Sequence, residues 1–209
     1  MPKKIICLLL FIPSFLLFSC VSSEVKLKSE ENLRNSLSRA KMRIVNPLPD
    51  GFELKYSADS SPFPYDYFLK SKSDDFELRY AIRPLDEYIK QYKELSKTPG
   101  VVMAPMKEDE HIQDFIVMIM NIGGGGLPDT KPAFFPPAAV KSEFGADWGA
   151  TISLHVSPNF DSKYKYGILM MLYKKNIAQA YVFYLANDPN VLSKYLRDTP
   201  LFYNLQFVK

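Results

Sequence analysis

The chain has 209 residues, with 26 Lys+Arg against 23 Asp+Glu, two histidines and two cysteines. So balanced a charge excludes a nucleic-acid binder, whose affinity rests on phosphate neutralisation by a basic surface. Both cysteines, Cys7 and Cys20, fall in the first twenty residues, so the rest of the chain has no disulfide, thiol nucleophile or zinc-thiolate site.

Lys3 and Lys4 precede an apolar stretch from Ile5 to Phe18, interrupted only by Pro13 and Ser14. The stretch is shorter than the ~20 apolar residues of a membrane-spanning helix and has the layout of a secretory leader. Its end, Leu17-Phe18-Ser19-Cys20, resembles the lipobox of bacterial lipoproteins, with Phe18 bulkier than the small residue usual there. The resemblance implies cleavage between Ser19 and Cys20 and acylation of Cys20, which would then open the mature chain. Two or more acyl chains hold a protein firmly on a bilayer, whereas one does not. Val21-Ser22-Ser23 places no acidic retention signal beside Cys20, so the implied address is the outer membrane where a cell has one. Removing residues 1–19 takes two lysines and leaves a net charge near +1.

Residues 20–28 are expected to be a flexible tether, and residues 29–209 a single domain large enough to bury its own core. Ser29 is placed to cap a short helix with Glu30 and Glu31 at its positive end and Leu33, Leu37 and Ala40 on one stripe. A turn over 47–51 leads to Phe52 and Leu54. A strand is predicted over Tyr65 to Lys70, a hairpin loop over 71–75, and a second strand over Phe76 to Arg83. In that second strand Phe76, Leu78, Tyr80 and Ile82 face one side, Glu77 and Arg79 the other. Pro84, Asp86 and Glu87 suit a first helical turn. Leu85, Tyr88, Ile89, Tyr92 and Leu95 recur at helical spacing until Thr98-Pro99-Gly100.

Phe115 to Ile122 is apolar throughout and reads as an inner strand covered on both sides. Ala150 to Ser157 alternates, with Ile152, Leu154 and Val156 opposite Thr151, Ser153 and His155. Tyr166 to Tyr173 and Ile177 to Leu185 form a hairpin around Lys174-Lys175-Asn176. Asp188-Pro189 opens a helix with Val191, Leu192, Tyr195 and Leu196 on its buried stripe, and Leu201 to Val208 reads as a closing strand. Antiparallel hairpins with segregated helices predict an α+β fold: a central, mainly antiparallel sheet of about six to seven strands flanked by helices. This element order, from Trp148 to Phe207 in particular, resembles the PsbP-like group of small α/β/α sandwiches. The resemblance implies an exported protein that binds or helps assemble other complexes, and it carries no catalytic set to transfer.

Residues 123–149 form the longest stretch without periodicity, and long loops in compact domains are usually functional or disordered. They hold Phe134, Phe135 and Trp148, the one tryptophan of the chain, and these three are the candidate binding residues, because interface cores favour such side chains. The alternative is that they pin the loop onto the sheet. Gly123-Gly124-Gly125-Gly126 lacks the spacing, lysine and hydroxyl of a phosphate loop and reads as a turn or strand terminus. His111 lies in the charged run Lys107-Glu108-Asp109-Glu110 and reads as solvated. Asp74, Asp75, Glu108, Asp109 and Glu110 could supply paired carboxylates, but their lysine-rich surroundings argue for hydrated surface. With no metalloprotease helix and no nucleophile elbow, no catalytic residue, metal ligand or cofactor is assigned. The expected partners are a membrane, through the acyl chains, and an envelope protein. A carboxylate-dependent hydrolase and a carrier of apolar ligands are the alternatives.

Overall fold

The computed structural model describes residues 17–55, 63–104 and 107–208. Residues 1–16 of the expected leader lie outside the described residues. A long helix, α1 (Leu17–Ala40), opens the structure and is followed by the short strand β1 (Met42–Ile44). Residues 20–28, expected as a tether, are therefore helical. No glycine or proline interrupts 17–40, so nothing in the backbone halts the helix before Lys41, which turns it off with a positive φ of 51°. Ser29 caps nothing, because the helix is already running when it reaches that residue.

Seven strands form one sheet in the order β2-β3-β4-β8-β7-β6-β5: β2 (Phe52–Lys55), β3 (Tyr67–Ser71), β4 (Phe76–Pro84), β5 (Ala133–Phe134), β6 (Trp148–His155), β7 (Tyr166–Lys174) and β8 (Ala178–Ala186). Every pairing is antiparallel. The fold is α+β, as the alternating patterns predicted. One face carries Phe76, Leu78, Tyr80 and Ile82 of β4, Met170 and Leu172 of β7 and the alanines of β8. It is covered by α1 through Leu33, Leu37 and Ala40, and by α5 (Pro189–Asp198) through Leu192 and Tyr195. The predicted closing strand shrinks to β9 (Leu205–Phe207). It pairs with β1 as a separate two-stranded ribbon, after a 3-10 turn over Pro200–Tyr203. Pro200 and the local turn take Leu201 to Tyr203 out of extended geometry.

The opposite face is closed by a helix that the sequence hid. Phe115 to Ile122 is not an inner strand but most of α3 (Glu110–Gly123), which buries His111, Phe115, Met118, Ile119 and Ile122. An eight-residue apolar run fits a buried strand and a buried helix equally well, and periodicity cannot separate them. What decides is the end: Gly124 adopts a left-handed conformation with φ of 83° as the C-cap, which glycine tolerates best. A Cβ there would stand 2.8 Å from the Ser157 hydroxyl. The helix predicted after Pro84 exists as α2 (Asp86–Leu95), yet it buries no residue, and Tyr88 and Leu95 are exposed.

Glu77 and Arg79, on the face away from Phe76, are buried rather than solvated. Arg79 bonds Glu77 at 2.6 Å and Asp161 at 2.6 Å, and Lys163 reaches Glu77 at 2.8 Å. The guanidinium also lies over the rings of Tyr65 and Phe68, 5.1 and 4.7 Å from their centroids. Such a network is costly to break from one side, because the remaining charges stay buried without compensation. Arg79→Met should lower unfolding free energy by about 3–5 kcal/mol. A urea-denaturation loss below ~1 kcal/mol would show that water reaches the two carboxylates.

Candidate functional site

The predicted binding loop divides between the two faces of the sheet. Residues 123–149 hold β5, a single helical turn α4 (Pro137–Ala139), a π-helical turn (Val140–Phe144) and the start of β6. Phe134 and Phe135 are neighbours at the end of an extended segment, so their side chains point to opposite faces. Phe135 stacks on Phe144 at 5.7 Å and meets Phe202 edge-on at 5.9 Å, within the α1 side of the core. A Cβ on Gly149 would stand 2.7 Å from the Phe135 ring, so the bare glycine backbone is the seat of that ring. Phe134 goes the other way, 59 % exposed, with its centroid 6.1 Å from Trp148. Trp148 is half-buried and packs edge-on against Phe115 and His111. Phe135 is thus a packing residue, and only Phe134 and Trp148 share a surface.

That surface leads to His111. The ring is 9 % exposed, stacked on Tyr173 at 4.1 Å with a 3° interplanar angle, and touched edge-on by Trp148 at 4.9 Å. The solvated residue of the sequence reading is a core residue. It sits four positions before Phe115, and the series 111, 115, 118, 122 is helical spacing. That series was the available signal, obscured once the run was read as a strand. Among the described residues neither ring nitrogen has a hydrogen-bond partner. Burial lowers the proton affinity of His111, opposed by the Glu108 backbone, which falls short of hydrogen-bond geometry, and by the Asp109 and Asp114 carboxylates.

A cleft of about 390 Å³ opens over His111, between the start of α2, the start of α3 and the β7–β8 hairpin. Leu85 and Tyr88 wall one side, and Tyr173 and Gln179 the other. The backbone bond from Leu85 N to Ile177 O, 2.9 Å, fixes α2 to the hairpin. Glu108, Glu110 and Asp114 line the cleft with Lys107 and Lys175. Lys175 pairs with Glu108 at 3.0 Å. The Tyr88 hydroxyl donates to Glu110 at 3.3 Å, and the Gln179 amide donates to Asp114 at 2.6 Å. Tyr181 donates in turn to Gln179 at 3.0 Å, which orients the amide.

The other candidates stay apart from this cleft. Asp74 and Asp75 sit beyond Phe76, at the end of β4 opposite Pro84, about 27 Å along the strand. They tie the β3–β4 loop to the far side of the domain: Asp74 accepts from Lys194 and Tyr195 at 2.9 and 2.7 Å, which hold its carboxyl below the usual range, and Asp75 accepts from Asn187. His155 is exposed on the edge of β6, tilted against Tyr166 at 5.0 Å in a shallow groove with Thr130 and Ser153. The two histidines thus occupy different places. Ser19 and Cys20 both lie in the first turn of α1. Among the described residues, no helix is long and apolar enough to cross a membrane, and no three His, Cys, Asp or Glu side chains stand together to hold a metal ion. No protein-family model matches the chain, and no curated protein matches it in sequence.

Two measurements test this geometry. Phe135→Ala should cost about 2 kcal/mol or more by loss of a packed ring, whereas Phe134→Ala should stay within ~0.5 kcal/mol in urea unfolding. Equal effects would contradict the division of the loop. For His111, the proton affinity is lower folded than unfolded, so the unfolded chain binds more protons as pH falls through about 6.5. Its contribution to stability is intact above that pH and is lost progressively below it. Between pH 7.5 and 5.5 the wild-type melting midpoint should therefore fall further than that of His111→Phe; parallel profiles would show that the ring is protonated without cost.

Proposed function

We propose that this chain is a cell-envelope lipoprotein, held at a membrane by acyl chains on Cys20, whose α+β domain acts as a binding or assembly module. The observation that carries the anchor is the position of Cys20, at the close of an apolar leader and directly after the small Ser19. The course of α1 supports it. The helix includes Cys20 and packs on the sheet through Leu33, Leu37 and Ala40, so a group attached at Cys20 is joined to the core by about 20 Å of continuous helix. Lys26 and Glu30, at 4.0 Å, add one turn of charge pairing on its outer part.

A binding role draws support from α3. Ile116, Val117 and Met120 are exposed together on the outer side of α3, and apolar side chains grouped on a surface mark interaction sites. The resemblance to PsbP-like sandwiches, with helices on both faces of an antiparallel sheet, favours the same role. Such a domain would meet an envelope protein at a membrane surface. A carboxylate-dependent hydrolase is the second reading, favoured by Glu108, Glu110 and Asp114 lining one cleft with His111. It is the weaker one, because each of the three carboxylates is already engaged by Lys175, Tyr88 or Gln179.

Cys20→Ser tests the anchor. The wild-type chain should sediment with membranes and give an intact mass equal to residues 20–209 plus acyl chains. The variant should keep its leader or appear in the soluble fraction. A variant that matures and sediments as the wild type does would overturn the assignment.

A further inference from the structure

Outside the anchor and the exposed α3 flank, the buried network of Glu77, Arg79, Asp161 and Lys163 is saturated within itself. The groove beside His155 is shallow, and the Thr130 hydroxyl in it is turned to the Ser153 carbonyl. His111 differs from both. It is a titratable ring, nine-tenths buried, with neither nitrogen open to solvent and neither bonded among the described residues.

The ring is held by its carbon surfaces alone, stacked on Tyr173 at 4.1 Å and met edge-on by Trp148 at 4.9 Å. A neutral imidazole tolerates such a slot at the cost of one unpaired donor and one unpaired acceptor. An imidazolium does not, because it brings a charge and two donors to a place without an acceptor. The start of α3 opposes the charge again, since the positive pole of a helix disfavours a cation. Burial accordingly lowers the proton affinity of the ring.

Acceptors stand just outside the slot. On α3 and its approach are Glu108, Asp109, Glu110 and Asp114, with Lys107; the β7–β8 hairpin adds Tyr173 and Lys175, and α2 adds Tyr88. Asp147, before β6, accepts from the Lys175 backbone. Carboxylates outnumber lysines here, and those on α3 and its approach are exposed or half-buried. The turn that carries His111 is weakly fastened. Asp109, at the N-cap, makes no side-chain cap bond. The bonds of Glu108 to Lys175 and of Tyr88 to Glu110, 3.0 and 3.3 Å, join exposed groups, which hold little. The next fully buried side chain of α3 is Phe115, one turn on. His111 is therefore the buried anchor of the first turn.

We propose that His111 is an acid-operated latch: once protonated, the ring leaves the slot between Tyr173 and Trp148 for the carboxylates outside it, the first turn of α3 opens, and Trp148 is uncovered. Trp148 already adjoins the exposed Phe134, so opening extends an aromatic surface from Phe134 through Trp148 to Tyr173. The latch belongs to the domain and does not depend on lipidation, so its failure would leave the envelope assignment untouched.

The test uses the full chain in detergent between pH 7.5 and 5. Trp148 is the one tryptophan, so its emission reports on the slot, while NMR follows the two imidazoles and amide exchange along α3. As pH falls, Trp148 emission should shift to the red in step with the titration of His111. Protection of the 112–115 amides, corrected for intrinsic exchange, should drop by up to about tenfold per pH unit below about 6.5, while that of 119–122 holds. His111→Phe, which keeps a stacked ring, should abolish both changes, and His155→Asn should leave both in place. An emission shift that survives in His111→Phe would overturn the proposal, as would a loss of protection shared by the whole domain. So would a wild-type His111 that titrates with no change at Trp148 or at 112–115, a result that needs no variant.

Discussion

The fold depends on β8 being buried along its whole length. All nine residues from Ala178 to Ala186 are buried, with β4 on one side and β7 on the other. A strand in that position needs cover on both faces, since leaving one face wet would expose Tyr181, Phe183 and Leu185 or else Val182 and Tyr184. The two faces are filled unequally. Alanines 178, 180 and 186 leave room for α1, α5 and the β1–β9 ribbon to approach closely, while the aromatic side chains of the other face meet α3 and the rings of Phe63, Tyr65 and Phe160.

From that constraint the placement of α3 follows, and with it the cleft. A helix laid across β6 and β7 puts its first turn beside the β7–β8 hairpin, so His111 lands on Tyr173 and Asp114 on Gln179. The carboxylates at this end also suit the positive pole of the helix, which gives Glu110 a structural reason to be there. Asp114, a turn further in, has no such reason, and the Tyr181 to Gln179 chain spends two buried side chains on orienting it. The same helix keeps Ile116, Val117 and Met120 outside. One element thus supplies both an ionic cleft and an apolar flank, on the face of the sheet away from α1. α1 reaches that side only at its end, where Arg39 pairs with Asp86 and Glu87 at the start of α2, at 2.7 and 3.0 Å.

Strand periodicity was legible wherever one face differed from the other. Phe76 to Arg83 and Ala150 to Ser157 alternate, the two arms around Lys174-Lys175-Asn176 are marked by strand-forming residues on either side of a turn, and each is a strand in the structure. Asn176, at φ of 59°, closes the hairpin as its residue type suggested. Phe115 to Ile122 lacks that contrast, and the burial of His111 follows from the helix that this run forms. In a strand starting at Phe115 the histidine four residues earlier has no face to belong to, whereas on α3 the two share one. The loop aromatics failed for a different reason. Adjacent Phe134 and Phe135 look like one patch in a list of residues, but an extended backbone sends neighbours to opposite sides.

Composition and local order by themselves determined the α+β class, the hairpins and the α5 helix with its Asp188 cap, because each of these is written within ten to twenty consecutive residues. Tertiary structure alone decided that Glu77 and Arg79 are buried, that β9 leaves the main sheet for β1, and that Glu110, His111 and Asp114 share a cleft with Tyr88 and Gln179. Those outcomes depend on which surfaces meet across 22 to 163 residues of chain, and no local pattern encodes a meeting of that kind.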